Sequence, residues 1–410
     1  MTTPAGARRA DARADPGAAF PPLPRSQIMA LGASRIRDIA NGAMGRNDVA
    51  AFWFGESDTP TPGFIREAAV AALARGETFY SHNLGTPELR AQLSVYLSRL
   101  HGADIGPERL AVTSSGVSGL MLTAQMLVSP GDRVAVVTPV WPNVAELPRI
   151  LGAEMVRVPL AVTGGRWQLD LDRLRAALTP DTRALYLNSP NNPTGWTIDA
   201  DTLAAVLEHC RRFGIWLITD DVYERLTFGN RPAAPSVLPI ADPSDRVISV
   251  NSFSKAWSMT GWRLGWAVAP PPFVAEMAKV IEYNTSCAPA FVQSAALAAL
   301  QQEAGEQAIA ELRARLGASR DLLMTGLRQH AAAEVPEAEG AMYAFFRIAG
   351  RSDDMALARR LLDVAGLGLA PGSAFGPEGA GWLRWCFAAR PEKIADGLDR
   401  LGKFLQTERL

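Results

Sequence analysis

Cysteine and histidine are scarce in this chain of 410 residues, which has three of the first and four of the second. Cys210, Cys287 and Cys386 are odd in number and far apart, so they do not indicate a disulfide framework. The four histidines do not follow the spacing of metal ligands either. We therefore expect no metal site, and we expect a reducing compartment, the cytoplasm.

The chain also lacks an excess of charge and a long apolar run. A net charge of −1 at pH 7 gives no reason to expect binding to nucleic acid or to an anionic membrane. No apolar run approaches the ~20 residues that a membrane-spanning helix needs. Residues 1–26 mix Ala, Pro, Gly and Arg with acids and lack the apolar centre of a signal peptide. A disordered leader is therefore expected there.

What the chain does have is an alternation of short apolar runs and helical patterns. Such runs are typical of strands that are buried on both faces of a sheet. They lie at 109–116, 133–139, 184–190, 215–221, 246–254 and 264–270. Strands that alternate with helices predict βαβ units and a parallel sheet. The expected fold class is α/β, with a three-layer large domain on a mainly parallel sheet.

The two ends of the chain predict a second, smaller α+β domain. "TPGFIREAAVAALARG" predicts a helix with Pro62 near its start and Gly76 after its end. Residues 303–331 predict a long amphipathic helix, and "AMYAFFRI" and "WLRWCFA" predict strands. We expect residues 27–60 and 303–410 to form the small domain and residues 61–302 the large one, with a cleft between them.

Polar residues follow several of the predicted strands. Open α/β sheets bind ligands beyond the carboxyl ends of their strands, so "SSGV", "PVW", "NSPNNPTG", "DDVY" and "SFSK" are expected to converge on one crevice. Each segment alone could be an ordinary turn or a capped strand end. Their occurrence at five strand ends is the stronger indication of a site.

Lys255 is the most unusual of these residues, because it lies among serines, aromatics and glycines. In a partly desolvated cleft the pKa of its amine would fall, and a neutral amine can form a Schiff base. Ser252 and Arg263 flank it with donors for an anion. The turn at Ser115, Gly116 and Val117 opens a helix, where free N–H groups favour a phosphate. A surface lysine and a plain turn are the alternatives.

Four further side chains complete the set. Asp220 follows an apolar strand, where a buried carboxylate needs a cationic partner. Asn192 can offer an amide N–H, and Trp141 can stack on a flat ring. Arg384 lies between apolar neighbours, which implies a carboxylate ligand. Together these groups describe a pocket for a flat, phosphorylated heterocycle with a carbonyl group and for a carboxylate substrate. Pyridoxal phosphate fits that description.

The segment "SFSKAWSMTGWRLG" resembles the pattern S-x-S-K-x-x-x-x-x-G-x-R-x-G of fold-type-I pyridoxal-phosphate enzymes in the class I/II aminotransferase family, which includes aspartate aminotransferase. "NSPNNPTG" and "DDVY" precede it in the expected order. "FGESDTPTP" and "TFYSHNLGTPELR" resemble two further segments of the family, and the resemblance extends over residues 30–405.

The resemblance implies a role for each residue at the ring. Lys255 would bind pyridoxal 5′-phosphate as a Schiff base and move a proton between Cα and C4′. Asp220 would pair with the ring nitrogen. Tyr223 and Asn192 would hydrogen-bond the phenolic oxygen, and Trp141 would stack on the ring.

The resemblance also implies how the phosphate and the substrate are held. The residues expected at the phosphate are Ser252, Arg263, Ser115, Gly116 and Val117. Tyr80 would reach the phosphate of a neighbouring subunit, which makes the active unit a homodimer. Arg384 would bind the α-carboxylate of the substrate, with help from Asn192 and the Gly55 amide.

The expected reaction is a ping-pong transamination. An L-amino acid gives its amino group to form pyridoxamine phosphate, and a 2-oxo acid then accepts it. A β- or γ-eliminating lyase, such as a carbon–sulfur lyase or an enzyme like aminocyclopropane-carboxylate synthase, would use the same residues and is the alternative. A non-catalytic regulator that binds the cofactor is a remote alternative, because residues 1–26 lack the signs of a DNA-binding domain.

Several positions bear on the substrate or depart from the family pattern. Ser57 stands where the pattern has proline, and Val117 where some relatives have a polar side chain. No arginine lies between Pro271 and Glu311, which argues against a distal carboxylate being bound there. A neutral or aromatic amino acid is the expected donor. The aromatic residues that could line its pocket, or equally belong to the core, are Phe52, Trp53, Phe54, Trp196, Trp257, Tyr283, Tyr343 and Phe345.

Overall fold

The computed structural model describes residues 24–408, so the predicted disordered leader lies almost wholly outside the described residues. The α-helices are α1 (Ser26–Met29), α2 (Arg35–Asn41), α3 (Gly63–Ala74), α4 (Pro87–His101), α5 (Gly116–Leu127), α6 (Pro142–Ile150), α7 (Leu171–Ala177), α8 (Ala200–Phe213), α9 (Pro271–Glu282), α10 (Ala290–Ala299), α11 (Gln302–Arg328), α12 (Asp354–Ala365) and α13 (Pro391–Thr407). The strands are β1 (Ala50–Ala51), β2 (Leu110–Thr113), β3 (Arg133–Thr138), β4 (Glu154–Pro159), β5 (Ala161–Thr163), β6 (Arg166–Gln168), β7 (Thr182–Asn188), β8 (Trp216–Asp220), β9 (Val247–Ser252), β10 (Gly265–Val268), β11 (Ala333–Glu334), β12 (Tyr343–Ile348), β13 (Leu367–Gly368), β14 (Ala370–Pro371) and β15 (Leu383–Cys386).

Seven strands form one large sheet in the order β2-β10-β9-β8-β7-β3-β4. Neighbouring strands are parallel except at β10, which is antiparallel to both β2 and β9. In β3, Val134 and Val136 pack into one hydrophobic cluster, whereas Ala135 and Val137 pack into another. Because successive residues of a strand point to opposite faces, both faces of this sheet are covered. The predicted α/β class with a mainly parallel sheet is confirmed.

Helices supply the two outer layers. Leu120 of α5, Val144 of α6 and Val274 of α9 pack on one face of the sheet. Leu174 of α7 and Leu203 of α8 belong to the cluster on the other face. This three-layer arrangement leaves the carboxyl ends of the parallel strands open at one edge, which is where such sheets bind ligands.

The antiparallel strand β10 makes a close contact at that edge. A Cβ atom at Gly265 would lie 2.6 Å from the carbonyl oxygen of Asn251 and 2.6 Å from the backbone nitrogen of Gly116. Only glycine therefore fits at the start of β10 without displacing backbone atoms. As a result, the end of β9, the start of β10 and the start of α5 meet at one point.

A second sheet has the order β11-β12-β15-β14, and its strands are antiparallel. The N-terminal strand β1 pairs in parallel with β13, so Ala50 lies beside Leu367. Helices α2, α12 and α13 pack around these strands. Residues from both ends of the described chain thus lie together, and the domain boundaries given above stay a prediction.

Most of the elements expected from periodicity are present. Helix α3 follows Pro62, and Gly76 has a φ of 77° where the chain turns away after it. The predicted long helix is α11. The short strand β1 and the hairpin of β5 and β6 were not expected, because two or three residues carry no measurable alternation. In the described part of the chain, no helix is long and apolar enough to cross a membrane.

Candidate active site

A pocket of about 260 Å³ lies at the open edge of the large sheet, between that sheet, the loop after β1 and strand β15. Eleven of the thirteen residues proposed from the sequence line it. They are Gly55, Gly116, Val117, Trp141, Asn192, Asp220, Tyr223, Ser252, Lys255, Arg263 and Arg384. Ser115 and Tyr80 do not line it. The five strand-end segments therefore converge on one pocket, as the sheet topology predicts.

The amine of Lys255 lies inside the pocket, just beyond the end of β9. Its Nζ donates a hydrogen bond to the carbonyl oxygen of Gly55 and lies 5.8 Å from the centre of the Tyr223 ring. Burial lowers the pKa of Lys255 to about 8, and the charges of Arg384 and Arg263 act in the same direction. An amine with this pKa is about half in the neutral, nucleophilic form at pH 8.

Asp220 is the last residue of β8, and its neighbour Asp221 points to different surroundings. Asp221 accepts hydrogen bonds from the hydroxyls of Thr219 at 2.7 Å and Ser249 at 2.6 Å. Within residues 24–408, the carboxyl group of Asp220 accepts one long hydrogen bond, of 3.4 Å from the Val222 N–H. Burial raises the pKa of Asp220 to about 7. A buried carboxyl group with so few donors can accept a cationic partner from a ligand.

Arg384 on β15 closes the opposite side of the pocket. It is buried, and its Nη1 donates to the Asn192 side-chain oxygen at 2.9 Å, while its Nη2 donates to the Trp53 carbonyl oxygen. Among the described residues its Nε has no partner, and no carboxylate lies within ion-pair distance. A buried guanidinium without an acid is costly unless a ligand provides one.

Asn192 is held in place by the ends of the neighbouring strands. Its N–H donates to the Asn188 side-chain oxygen at 2.9 Å, and the Asn188 amide nitrogen donates to the Asp220 carbonyl oxygen at 3.0 Å. Its own carbonyl accepts from the Trp141 N–H at 2.8 Å. Because the Asn192 side-chain oxygen faces Arg384, its amide nitrogen is left to donate into the pocket.

The start of α5 forms another wall, with backbone N–H groups that have no partner inside the helix. Ser115 is the N-cap: its hydroxyl accepts from the Ser118 N–H at 3.0 Å, so it supports the turn without lining the pocket. Gly116 approaches Ser252 closely, since a Cβ atom on it would lie 3.3 Å from the Ser252 Cβ. Arg263 has a left-handed backbone with φ 56° and donates to the Thr260 carbonyl at 2.6 Å. These donors favour an anion.

Two tyrosines meet in the middle of the pocket. The hydroxyl oxygens of Tyr223 and Tyr343 lie 2.6 Å apart, and their rings are nearly perpendicular at 79°. The Arg384 guanidinium lies 4.5 Å from the centre of the Tyr343 ring. Gly55 is adjacent, and a Cβ atom there would lie 2.0 Å from the Tyr343 hydroxyl oxygen. In the sequence, nothing distinguishes Tyr343 from the other seven aromatic candidates, because the residues that it contacts lie far from it along the chain.

The other aromatic candidates separate clearly. Trp53 and Phe54 line the pocket with Tyr343. Tyr283 is 91% exposed. Those that are buried in the hydrophobic core and do not line the pocket are Phe52, Trp196, Trp257 and Phe345. Pocket residues not proposed from the sequence include Ile36, Leu120, Asn188, Val222, Ser254 and Thr260. Of these, Asn188 could have been suspected, since it opens the segment "NSPNNPTG" at a strand end.

Tyr80 lies outside the pocket on the surface, where 89% of it is exposed. Phe79 beside it is 83% exposed. Ser57, which replaces the proline of the family pattern, accepts a hydrogen bond from the Arg315 side chain at 2.7 Å and one from the Thr59 N–H at 3.2 Å. Ser57 therefore has hydrogen-bond partners of its own at this position.

The donors in the pocket fit pyridoxal phosphate. A buried acid with few donors suits a protonated ring nitrogen, a partly buried amine suits an aldehyde, and free N–H groups suit a phosphate. The lone guanidinium of Arg384 suits the carboxylate of a second molecule. The pocket therefore fits both the cofactor and an amino acid.

Comparison with known proteins agrees with this geometry. The family model described as "Aminotransferase class I and II" matches residues 49–401. An aspartate aminotransferase of Pyrococcus horikoshii is 32% identical over 384 residues, which cover 93% of this chain and 97% of the relative. A probable aspartate/prephenate aminotransferase of Aquifex aeolicus is 34% identical over 367 residues, covering 88% and 91%. A solved structure of Thermus thermophilus aspartate aminotransferase has a TM-score of 0.87 at 32% identity, covering 93% and 99%.

The chain belongs to the class I and II aminotransferase family. It is a fold-type-I enzyme that uses pyridoxal 5′-phosphate to move an amino group between an amino acid and a 2-oxo acid. The predicted family, cofactor and enzyme class are confirmed.

Proposed function

We propose that Lys255 binds the cofactor covalently through its amine and later moves the proton of the substrate Cα. The observation that carries this proposal is that one small pocket contains Lys255, Asp220 and Arg384, and that none of the three forms an ion pair with another described residue. When bound, pyridoxal phosphate supplies an aldehyde for amines and a ring that withdraws electrons from the Cα atom. The low pKa of Lys255 lets its amine accept a proton at that position.

Asp220 acts on the ring nitrogen in this proposal. Its carboxyl group is buried at the end of a central strand, so a proton shared with the ring nitrogen is screened little by water. The positive charge held there stabilises negative charge that develops during the reaction. Tyr223 and Asn192 donate to the phenolic oxygen of the ring, and Trp141 stacks on one face.

The phosphate is bound by the start of α5, by Ser252 and by Arg263. The N–H groups of Gly116 and Val117 and the positive end of the helix favour an anion, and the arginine adds a full charge. Ser115 acts indirectly, since its hydroxyl caps the helix. Val117 contributes through its backbone alone, because its side chain has no polar atom.

The substrate carboxylate binds Arg384, with support from Asn192 and the Gly55 region. The two Nη atoms already donate to Asn192 and Trp53, which fixes the plane of the guanidinium. A fixed plane orients the bound amino acid so that its Cα–H bond points towards Lys255. Arg384 is therefore expected to set the Michaelis constant more than the cofactor affinity.

The donor is proposed to be an amino acid with an apolar or aromatic side chain. Ile36, Trp53, Phe54 and Val222 line the outer part of the pocket. Lys255, Arg263 and Arg384 are the cations that line it within residues 24–408, and each already has a role. The names of the relatives suggest aspartate or prephenate, which would require a further cation. Aspartate is therefore the second candidate.

A homodimer with shared active sites is proposed from the exposed aromatic surface. Phe79, Tyr80 and Tyr283 are 83%, 89% and 91% exposed, and large exposed apolar groups favour an interface. Tyr80 would extend to the phosphate of the second subunit. Sedimentation and a titration with pyridoxal phosphate, each on the wild type and on Tyr80→Phe, would test the two parts, since the variant should stay dimeric but bind the cofactor more weakly. The cytoplasm stays the predicted location, and all three cysteines are free.

The first experiment is an absorbance titration of the purified protein supplied with pyridoxal phosphate. Single amino acids are added without a 2-oxo acid. An aminotransferase shows a visible cofactor band that is bleached once, in proportion to the protein, by its donor. Continuous consumption of the amino acid with a persistent band would instead identify a lyase. Fastest bleaching by aspartate would contradict the proposed donor class.

Substitution of Lys255 by Ala provides the matched test of the catalytic lysine. It should lower kcat by at least about 10³-fold, because both the covalent attachment and the proton transfer are lost. Lys279→Ala is the control, since Lys279 is exposed and pairs with Glu276 on α9. Equal activity of the two variants would end the proposed role of Lys255.

A further inference from the structure

Tyr343 lies between the two halves of the pocket, and the function proposed above assigns it no task. Its side chain is fully buried on β12, and it lines the pocket. Its hydroxyl lies 2.6 Å from that of Tyr223, and the Arg384 guanidinium lies 4.5 Å from its ring centre. One residue therefore touches the side chain proposed at the cofactor ring and the side chain proposed at the substrate carboxylate.

The contact between the hydroxyls determines where hydrogens point. Two phenols at 2.6 Å share one hydrogen, so one donates and the other accepts. If Tyr343 donates, the hydrogen of Tyr223 is free to point at a ligand in the pocket. If Tyr223 donates, its hydrogen is used within the protein. A ligand with a negative oxygen beside Tyr223 favours the first arrangement.

The contact between the Tyr343 ring and the Arg384 guanidinium does not involve the Tyr343 hydroxyl. The ring of Tyr343 and the ring of Phe375, at 4.5 Å and 4.8 Å from the guanidinium carbon, both pack on Arg384. Aromatic faces attract a cation most strongly where water is excluded, and Arg384 is 2% exposed. The Tyr343 ring therefore helps to hold the guanidinium in a plane suited to a carboxylate.

We propose that Tyr343 is a positioning residue with two separable tasks in transamination, which rest on the function proposed above. Its hydroxyl donates to Tyr223 and so directs the Tyr223 hydrogen to the cofactor. Its ring supports Arg384 and so pre-arranges the carboxylate site. Gly55 is glycine because the Tyr343 hydroxyl occupies the space that a Cβ atom would need, at 2.0 Å.

The test separates the two tasks with Tyr343→Phe and Tyr343→Leu. The first readout is the pH midpoint of the visible absorbance of the bound cofactor, without substrate. The second is the dissociation constant of 3-phenylpropionate, a monocarboxylate with an apolar side chain and no amine, measured by calorimetry with and without cofactor. Tyr343→Phe should raise the pH midpoint by about half a unit, because the Tyr223 oxygen loses its own donor and Tyr223 becomes a weaker donor to the ring oxygen, and should change 3-phenylpropionate binding by less than about twofold.

Tyr343→Leu should shift the pH midpoint in the same way and also weaken 3-phenylpropionate binding about fivefold, because the ring contact is lost. Tyr186→Phe is the control: Tyr186 is also a buried tyrosine, on β7, but it does not line the pocket, and both readouts should match the wild type.

An unchanged pH midpoint in Tyr343→Phe would overturn the hydroxyl task, and unchanged 3-phenylpropionate binding in Tyr343→Leu would overturn the ring task. A merely structural role would lower thermal stability and leave both readouts where they are. If the wild type lacks a visible cofactor band, the hydroxyl task falls with the proposed function. Calorimetry without cofactor would still decide the ring task.

Discussion

The two ends of the pocket are assembled in different ways. At the ring end, Asp220 and Ser252 are the last residues of two neighbouring strands of one sheet, and Gly116 begins the helix that packs on it. At the carboxylate end, Arg384 comes from the second sheet and Asn192 from a loop of the first. Positions at the ring end are thus set by strand register, and those at the carboxylate end by the packing of separate parts of the chain.

Because of this difference, we expect substitutions at the two ends to change different kinetic constants. In the proposed function, groups fixed by strand register hold the cofactor throughout the reaction, so they are expected to affect kcat and cofactor affinity. Groups assembled from separate parts of the chain are proposed to bind a molecule that enters and leaves, so they are expected to affect KM. Substitutions at each end should therefore be distinguishable by kinetics.

The largest effect is expected for Asp220→Asn at the ring end. An amide does not hold a proton on the ring nitrogen, so kcat should fall by about 10²–10³-fold. Asp221→Asn is the comparison, because Asp221 interacts with Thr219 and Ser249 and does not line the pocket. Asp221→Asn should instead lower the thermal stability of the protein. Steady-state kinetics of both variants check this, and a similar kcat for the two would contradict the role of Asp220.

Arg384→Lys tests the other end. A lysine replaces the planar fork by a point charge, so KM for the amino acid should rise by about 10–100-fold while the cofactor spectrum stays unchanged. Arg347→Lys is the matched control, since Arg347 packs over Trp382, the residue just before β15, and pairs with Glu334. Loss of bound cofactor in Arg384→Lys would show that the two ends are not separate.

Gly265→Ala changes the ring end without touching a polar side chain. Its methyl group would meet the Asn251 carbonyl and the Gly116 nitrogen, so the start of α5 must shift and cofactor affinity should fall by about tenfold. Gly261→Ala is the control, because the space around Gly261 is open to 4 Å. Fluorescence titration with pyridoxal phosphate measures both. An unchanged dissociation constant would mean that the meeting point of β9, β10 and α5 does not set the phosphate site.

The smallest effect expected is on the pH dependence of stability in the cofactor-free protein. Burial raises the pKa of Asp220 from its ordinary 3.8 to about 7, so the folded state prefers the protonated form. Its contribution is present below about pH 4 and is lost as pH rises through about 7. Asp220→Asn should flatten this decline, because an amide does not titrate.

Thermal melts between pH 4 and pH 8 measure that decline. Asp199→Asn is the control of opposite sign, because hydrogen bonds from the Thr202 N–H and hydroxyl lower the pKa of Asp199 at the start of α8. Its contribution is present above the ordinary pKa and is lost on acidification. A wild-type slope that Asp220→Asn leaves unchanged would contradict the burial argument.

The sequence predicted the ring end more fully than the carboxylate end. Lys255, Asp220 and Ser252 follow apolar runs that are recognisable as strands, and sheet topology brings strand ends together. Tyr343 and the Gly55 carbonyl were not predicted as partners, because each meets a residue more than a hundred positions away. Such contacts depend on how the two sheets pack, which local periodicity does not specify. The sequence also did not predict that β10 is antiparallel to its neighbours, because the apolar pattern of a strand does not indicate its direction.

The antiparallel orientation of β10 has a consequence for motion. Strand β9 ends at the pocket edge and β10 begins there, so residues 253–264, which include Lys255 and Arg263, are anchored on both sides by strands within the large sheet. The entropy of ordering this segment is lost once, when the protein folds, and is not lost again at each encounter with substrate. Its buried amide hydrogens should exchange with solvent only when the sheet itself opens, far more slowly than those of the loop that contains Gly55.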